Sequence, residues 1–175
     1  MSVMQHCFGL AGTGGPVGAL ERLQEYSEIR YPEIRQIAPA GGVNLTLLHA
    51  FVKKIRAVRP SLLHVRGLGS EGFHGVLAGR LAGVPNVLVS IHGTHRDLRE
   101  PSSLLRRWLV VNALERATLS LATHIATVHS SALEREFLGP YRQKLVGSVP
   151  NGVAVPPLVD EKVRQDIRKR FSIGP

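Results

Sequence analysis

Cysteine is almost missing from this chain. Cys7 stands alone among 175 residues, so no disulfide can form within it. That excludes the disulfide-stapled extracellular scaffolds and suits a reducing compartment, so a cytoplasmic location is expected. No run approaches the roughly 20 apolar residues of a membrane-spanning helix. The opening Met1-Ser2-Val3-Met4-Gln5-His6 lacks the basic region of a secretory signal. Aromatic residues make up only 5%. Neither zinc-finger spacing nor an RNA-recognition signature is present, and there is no Asp-x-Asp to hold a metal. Acids are the other scarcity, with 13 Asp and Glu against 22 Lys and Arg, a net charge of +9. Such a field favours anionic partners. The basic residues are scattered along helices rather than gathered in a tract, so nucleic acid is not expected, while peripheral contact with anionic membrane stays open.

What the chain does have is a regular alternation. Apolar strands at Val3–Leu10, Ile34–Ala38, Leu62–Val65, Val87–Ile91, Ile125–Val128 and Lys144–Val149 are separated by segments of helical period. At this length the simplest reading is one α/β domain, a Rossmann-like, mostly parallel sheet with helices on both faces. Asn44 is placed to cap one helix, and Ser70 another that ends near Ala82. Ser131-Ala132-Leu133-Glu134 reads as a capping box, and Asp160 caps the last helix. A helix from Ser102 or Ser103 to Leu121 carries Leu104, Leu105, Trp108, Leu109, Val111 and Leu114 on one side, with arginines between. A membrane-surface helix and a core-packed one share this pattern; core packing is expected.

Two loops carry the chemistry. The first strand runs into Gly12-Thr13-Gly14-Gly15-Pro16 and then a helix, a turn that can present bare N–H groups to an anion. It lacks the Gly-Lys-Ser/Thr of a nucleotide-triphosphate loop. It also misses the third glycine of the dinucleotide fingerprint, so nicotinamide is disfavoured. The central strand Val87–Ile91 ends at His92-Gly93-Thr94. Open parallel sheets bind ligands beyond the carboxyl ends of their strands, and Gly93 leaves room for close approach beside the imidazole. A strand-end histidine satisfied by its neighbours is the simpler reading when His92 is taken alone.

The pieces gain weight in order. Gly14-Gly15 follow the first strand. Pro60-Ser61-Leu62-Leu63-His64-Val65-Arg66-Gly67 comes next, then Gly83-Val84-Pro85 and His92-Gly93. Thr123-His124-Ile125-Ala126-Thr127-Val128-His129-Ser130 and Val149-Pro150-Asn151-Gly152-Val153 complete the series. The series resembles the N-terminal half of retaining glycosyltransferases of family four, which fold as two Rossmann-like domains facing across a cleft (the GT-B architecture). Three positions depart from the family pattern. Ser61 and Arg66 replace an aspartate and a second histidine, and Ala154 replaces an aspartate.

The resemblance implies roles. His92 would act as the catalytic residue beside the transferring sugar, with no metal, in keeping with the lack of Asp-x-Asp. Gly14 and Gly15 would approach the donor diphosphate or the acceptor, and Thr94 and Arg96 would lie near the acceptor or a phosphate. His64, Arg66, Gly93 and Asn151 join them as candidate ligand-binding residues. The implied partners are a nucleotide-sugar donor, as co-substrate rather than cofactor, and a glycan or lipid-linked acceptor of polysaccharide biosynthesis. The domain would span 1–155, and 156–175 would form a linker helix toward a C-terminal donor domain beyond Pro175, without which no turnover is expected. The alternative is a stand-alone Rossmann-like module binding an anionic nucleotide or phosphosugar.

Overall fold

The computed structural model describes residues 2–10, 12, 14–37, 42–94, 96, 104–152 and 160–174. Six strands, β1 (Val3–Phe8), β2 (Glu33–Gln36), β3 (Leu62–Arg66), β4 (Asn86–Ile91), β5 (His124–Thr127) and β6 (Leu145–Ser148), form one sheet in the order β2-β1-β3-β4-β5-β6. Every neighbouring pair is parallel. The described helices are α1 (Gly14–Tyr26), α2 (Leu45–Val58), α3 (Ser70–Leu81), α4 (Leu104–Leu109), α5 (Glu115–Leu121) and α6 (Glu161–Arg170). This is the expected Rossmann-like architecture.

Strand order decides how the helices are shared between the faces. The step from β1 to β2 runs one way across the sheet, and every later connection runs the other way. Right-handed crossovers therefore place α1 on one face and α2, α3 and α5 on the opposite face. The packing follows. Met4, Leu63, Val65, Val87, Val89 and Ile125 join Phe51 and Ile55 of α2, Val76 and Ala78 of α3 and Leu119 of α5 in the main core. On the other face Cys7, Val17 and Leu20 form a small second cluster with Leu23 against it. Both faces do carry helix, but very unequally.

Glycines let α3 lie close on the sheet. A Cβ at Gly72 would sit 2.1 Å from the Gly67 carbonyl oxygen, and one at Gly79 would sit 2.7 Å from Leu63 Cδ2. The buried His74 ties α3 to the start of α2. The Asn44 N–H donates to its Nε2 at 2.8 Å and its Nδ1 faces the Ser70 carbonyl oxygen, which sets the ring tautomer.

Several local expectations hold and others are corrected. Asn44 caps α2 by accepting from the Leu47 N–H at 2.9 Å, and Asp160 caps α6 by accepting from the Lys162 N–H at 3.0 Å. Ser70 is the first residue of α3 rather than its cap, which is Gly69. The capping box at Ser131 does not open an α-helix; Ser130–Glu134 and Glu136–Lys144 are 3-10 turns. Here His129 Nδ1 accepts from the Ser131 N–H and also holds its hydroxyl at 2.8 Å, while Pro140 lies inside the second segment. The single helix expected up to Leu121 is broken by a π turn, Val110–Leu114, between α4 and α5; its start at Ser102 or Ser103 lies outside the described residues. The expected core packing of this helix fails for α4, since Leu105, Trp108 and Leu109 are 68%, 60% and 47% exposed.

Candidate functional site

Alternation along the strands sends Leu63 and Val65 into the main core and His64 and Arg66 to the sparsely covered face. Register sets Gln5 beside His64 on the neighbouring strand, and Arg66 beside Ser90. These side chains floor a trough of about 640 Å3. Ala19, Arg22, Leu23 and Tyr26 of α1 form one wall. The opposite wall is Val128 and the stretch Val149-Pro150-Asn151-Gly152, held in place where the Val149 N–H donates to the Thr127 carbonyl at 2.7 Å. The trough opens over β1 and β3, parallel neighbours whose onward connections leave in opposite directions across the sheet, the switch point at which open α/β sheets bind ligands. Its volume suits a small molecule.

Within it Ser90 Oγ lies 2.9 Å from His64 Nε2 and 3.2 Å from His92 Nε2. One hydroxyl proton can satisfy only one of these nitrogens, so the two rings are coupled. The imidazole that accepts it carries its own proton at Nδ1, and the other donates Nε2–H to the serine oxygen. Burial, with the Arg66 charge nearby, pushes His64 down to about 3 and His92 to about 4. Both rings are therefore neutral at pH 7. His92 can serve as a hydrogen-bond donor or acceptor toward a sugar hydroxyl but not as a standing cation. Arg66 is 5% exposed, and its Nη1 donates to Gln5 Oε1 at 2.8 Å.

Thus His64, Arg66, His92 and Asn151 come together. Five other candidates do not line the trough. Gly14 and Gly15 begin α1, and the Gly12 N–H before them donates to the Glu21 carboxylate at 3.2 Å. Gly93 follows His92 with no heavy atom within 4 Å of where its Cβ would stand. Thr94 is buried. Arg96 is drawn into structure: its Nε meets Glu115 Oε2 at 3.0 Å, Nη2 donates to the Val111 carbonyl oxygen, and the guanidinium lies over Phe137 at 4.8 Å. Sequence reasoning missed Gln5, Arg22 and Ser90. Gln5 and Ser90 do signal themselves, as polar residues at the alternate positions of otherwise apolar strands. Among the described residues no group of three or more His, Cys, Asp or Glu comes together to hold a metal ion.

Residues 8–152 match the model of the glycosyl transferase 4-like domain. The chain belongs to that family. No curated protein matches the sequence. Two solved structures are similar to this glycosyl transferase 4-like domain in fold. One is MnaA from S. aureus in a co-structure with UDP, with a TM-score of 0.61 at 16% identity over 98% of this chain. The other is UDP-GlcNAc 2-epimerase from Neisseria meningitidis bound to UDP-GlcNAc, with a TM-score of 0.58 at 13% identity over 100% of this chain. The domain spans about half of each, 50% and 54% of their lengths. No described helix is long and apolar enough to cross a membrane.

Proposed function

We propose that this glycosyl transferase 4-like domain is the acceptor-side half of an enzyme that moves a sugar from a nucleotide-sugar donor to a glycan or lipid-linked acceptor, with retention. The observation that carries the reading is the position of His92. It stands at the carboxyl end of β4, in the trough at the switch point, held neutral and coupled through Ser90 to His64. A neutral imidazole there donates to or accepts from a sugar hydroxyl and stabilises charge that develops on oxygen during transfer. Gly14, Gly15 and Gly93 follow strand ends on the same edge and on this reading meet the donor phosphates, while Thr94 beside Gly93 is buried. The stand-alone phosphate-binding alternative draws less support, because Glu21 already occupies the Gly12 N–H of the glycine turn.

A donor half would follow residues 156–175. Support comes from the half-length match and from α6, none of whose residues is buried: its Val163 and Ile167 are exposed, as is Phe171 just after it. On this reading the present chain binds acceptor weakly and turns over nothing. Exposed Leu105, Trp108 and Leu109 on α4, with the +9 charge, support peripheral contact with an anionic membrane surface. Co-sedimentation with anionic but not neutral vesicles checks it.

The deciding experiment is His92→Ala in the full-length transferase, assayed for sugar transfer from a nucleotide-sugar. Loss of one such group lowers kcat by roughly a hundred- to a thousandfold, with donor binding retained. An unchanged kcat refutes the role of His92.

A further inference from the structure

Among the described residues, the trough contains no acidic side chain, although two arginines line it. Arg66 is almost wholly buried, and its one hydrogen bond goes to the neutral Gln5. Arg22 reaches it from α1 with its Nε buried and without a partner. The acids nearest in sequence, Glu21 and Glu25, line a separate hollow with Glu33 and Arg35, where Glu21 and Glu33 both pair with Arg35. A buried guanidinium without counter-charge is costly. Elsewhere this chain avoids that cost, giving Arg96 the wholly buried Glu115. Leaving Arg66 unneutralised beneath an open trough is reasonable if the counter-charge arrives with the ligand.

The surroundings narrow the ligand further. His64, Ser90, His92 and Asn151 offer hydrogen-bonding groups, and Leu23, Tyr26, Val149 and Pro150 offer apolar faces to a ring. A trough of about 640 Å3 holds far more than one inorganic anion. We propose that the trough binds a saccharide bearing an oxyanion, a carboxylate or a phosphate, with that group seated on Arg66 and assisted by Arg22. The planar guanidinium suits two-pronged contact with either oxyanion. The inference names the acceptor class and rests on reading the trough as the acceptor site.

The test is calorimetric titration of the full 175-residue chain in chloride-free buffer with glucuronic acid, glucose 1-phosphate and glucose. At least one anion binds roughly ten- to a hundredfold more tightly than glucose, the range of a charge-assisted contact. Preference for glucuronic acid assigns a carboxylate, and preference for glucose 1-phosphate assigns a phosphate. Arg66→Met abolishes the preference while leaving the ligand-free melting temperature unchanged or higher, since an unpaired buried charge is gone. Should that variant not fold, Arg66→Lys keeps the charge, loses the fork and reduces the preference. Glucose binding as well as both anions, or a substituted Arg66 that leaves the preference intact, overturns the proposal. Binding needs no turnover, so this result and the His92→Ala result can fail separately.

Discussion

Mild acid should destabilise this domain before its carboxylates begin to titrate. His6 and His64 are both held neutral in the folded chain, pushed down to about 3 by burial first and then by the Arg66 charge. Unfolding returns each to about 6.5. As pH falls through 6.5 the unfolded chain takes up a proton at each site that the folded chain refuses, so stability is full above that pH and drops below it. From pH 7.5 to 5.5 each histidine costs about 1.4 kcal/mol, and the two together about 3. His92, pushed to about 4, is still neutral in the folded chain at pH 5.5 and adds to the same trend by a similar amount. Against a usual total of about 5–15 kcal/mol this is a large fraction. Urea unfolding followed by circular dichroism at pH 7.5, 6.5 and 5.5 measures it. His6→Leu separates the contributions, because among the described residues neither ring nitrogen of His6 has a partner in its wholly buried site. The variant should be no less stable at pH 7.5 and should lose about 1.4 kcal/mol of the pH dependence. A midpoint that does not move between pH 7.5 and 5.5, or a His6→Leu variant with the full slope, refutes the reasoning.

Other outcomes follow from the close contacts. Gly72→Ala and Gly79→Ala should each cost roughly 1–3 kcal/mol in thermal melts, since their methyls would press on Gly67 and on Leu63 with Val87. Gly15→Ala and Gly93→Ala meet open space and should leave the melting temperature unchanged. Any loss of transfer by these two in the full-length enzyme then reports ligand contact, and unaffected transfer removes them from the site. Arg96→Met should destabilise by about 2 kcal/mol in urea, below the usual cost of breaking a buried pair because the arginine is partly exposed. It should leave saccharide binding unaltered, and a binding defect in a folded variant would count against a purely structural Arg96.

Much of the fold could be read from the amino-acid order because the relevant forces are local or periodic. Six apolar runs gave six strands, and the Asn44 and Asp160 caps each need only a side chain reaching two or three residues onward. Where expectation failed, a distant or competing partner decided. At Ser131 the neighbouring His129 engages both the N–H and the hydroxyl and itself caps the segment, which winds as a 3-10 turn. The pairing of Arg96 with Glu115, nineteen residues on, is likewise beyond what the His-Gly motif shows. The apolar stripe of α4 shows which residues share a side but not what that side meets, and Leu105, Trp108 and Leu109 meet solvent. For the site, His64, Arg66, His92 and Asn151 stood out as motif residues. Arg22 did not, since only the fold of α1 over the sheet brings it there.

The lopsided placement of the crossovers separates two kinds of selection on the same strands. In β3 the odd-numbered Leu63 and Val65 answer to packing, and the even-numbered His64 and Arg66 answer to whatever enters the trough. In β4 Val87 and Val89 face the core and Ser90 faces the trough in the same way. Substrate preference can then drift through one set of positions while the melting temperature is guarded by the other. A library randomised at Gln5, His64, Arg66 and Ser90 should yield mostly folded proteins of altered taste, whereas the same library shifted by one residue should yield mostly aggregates.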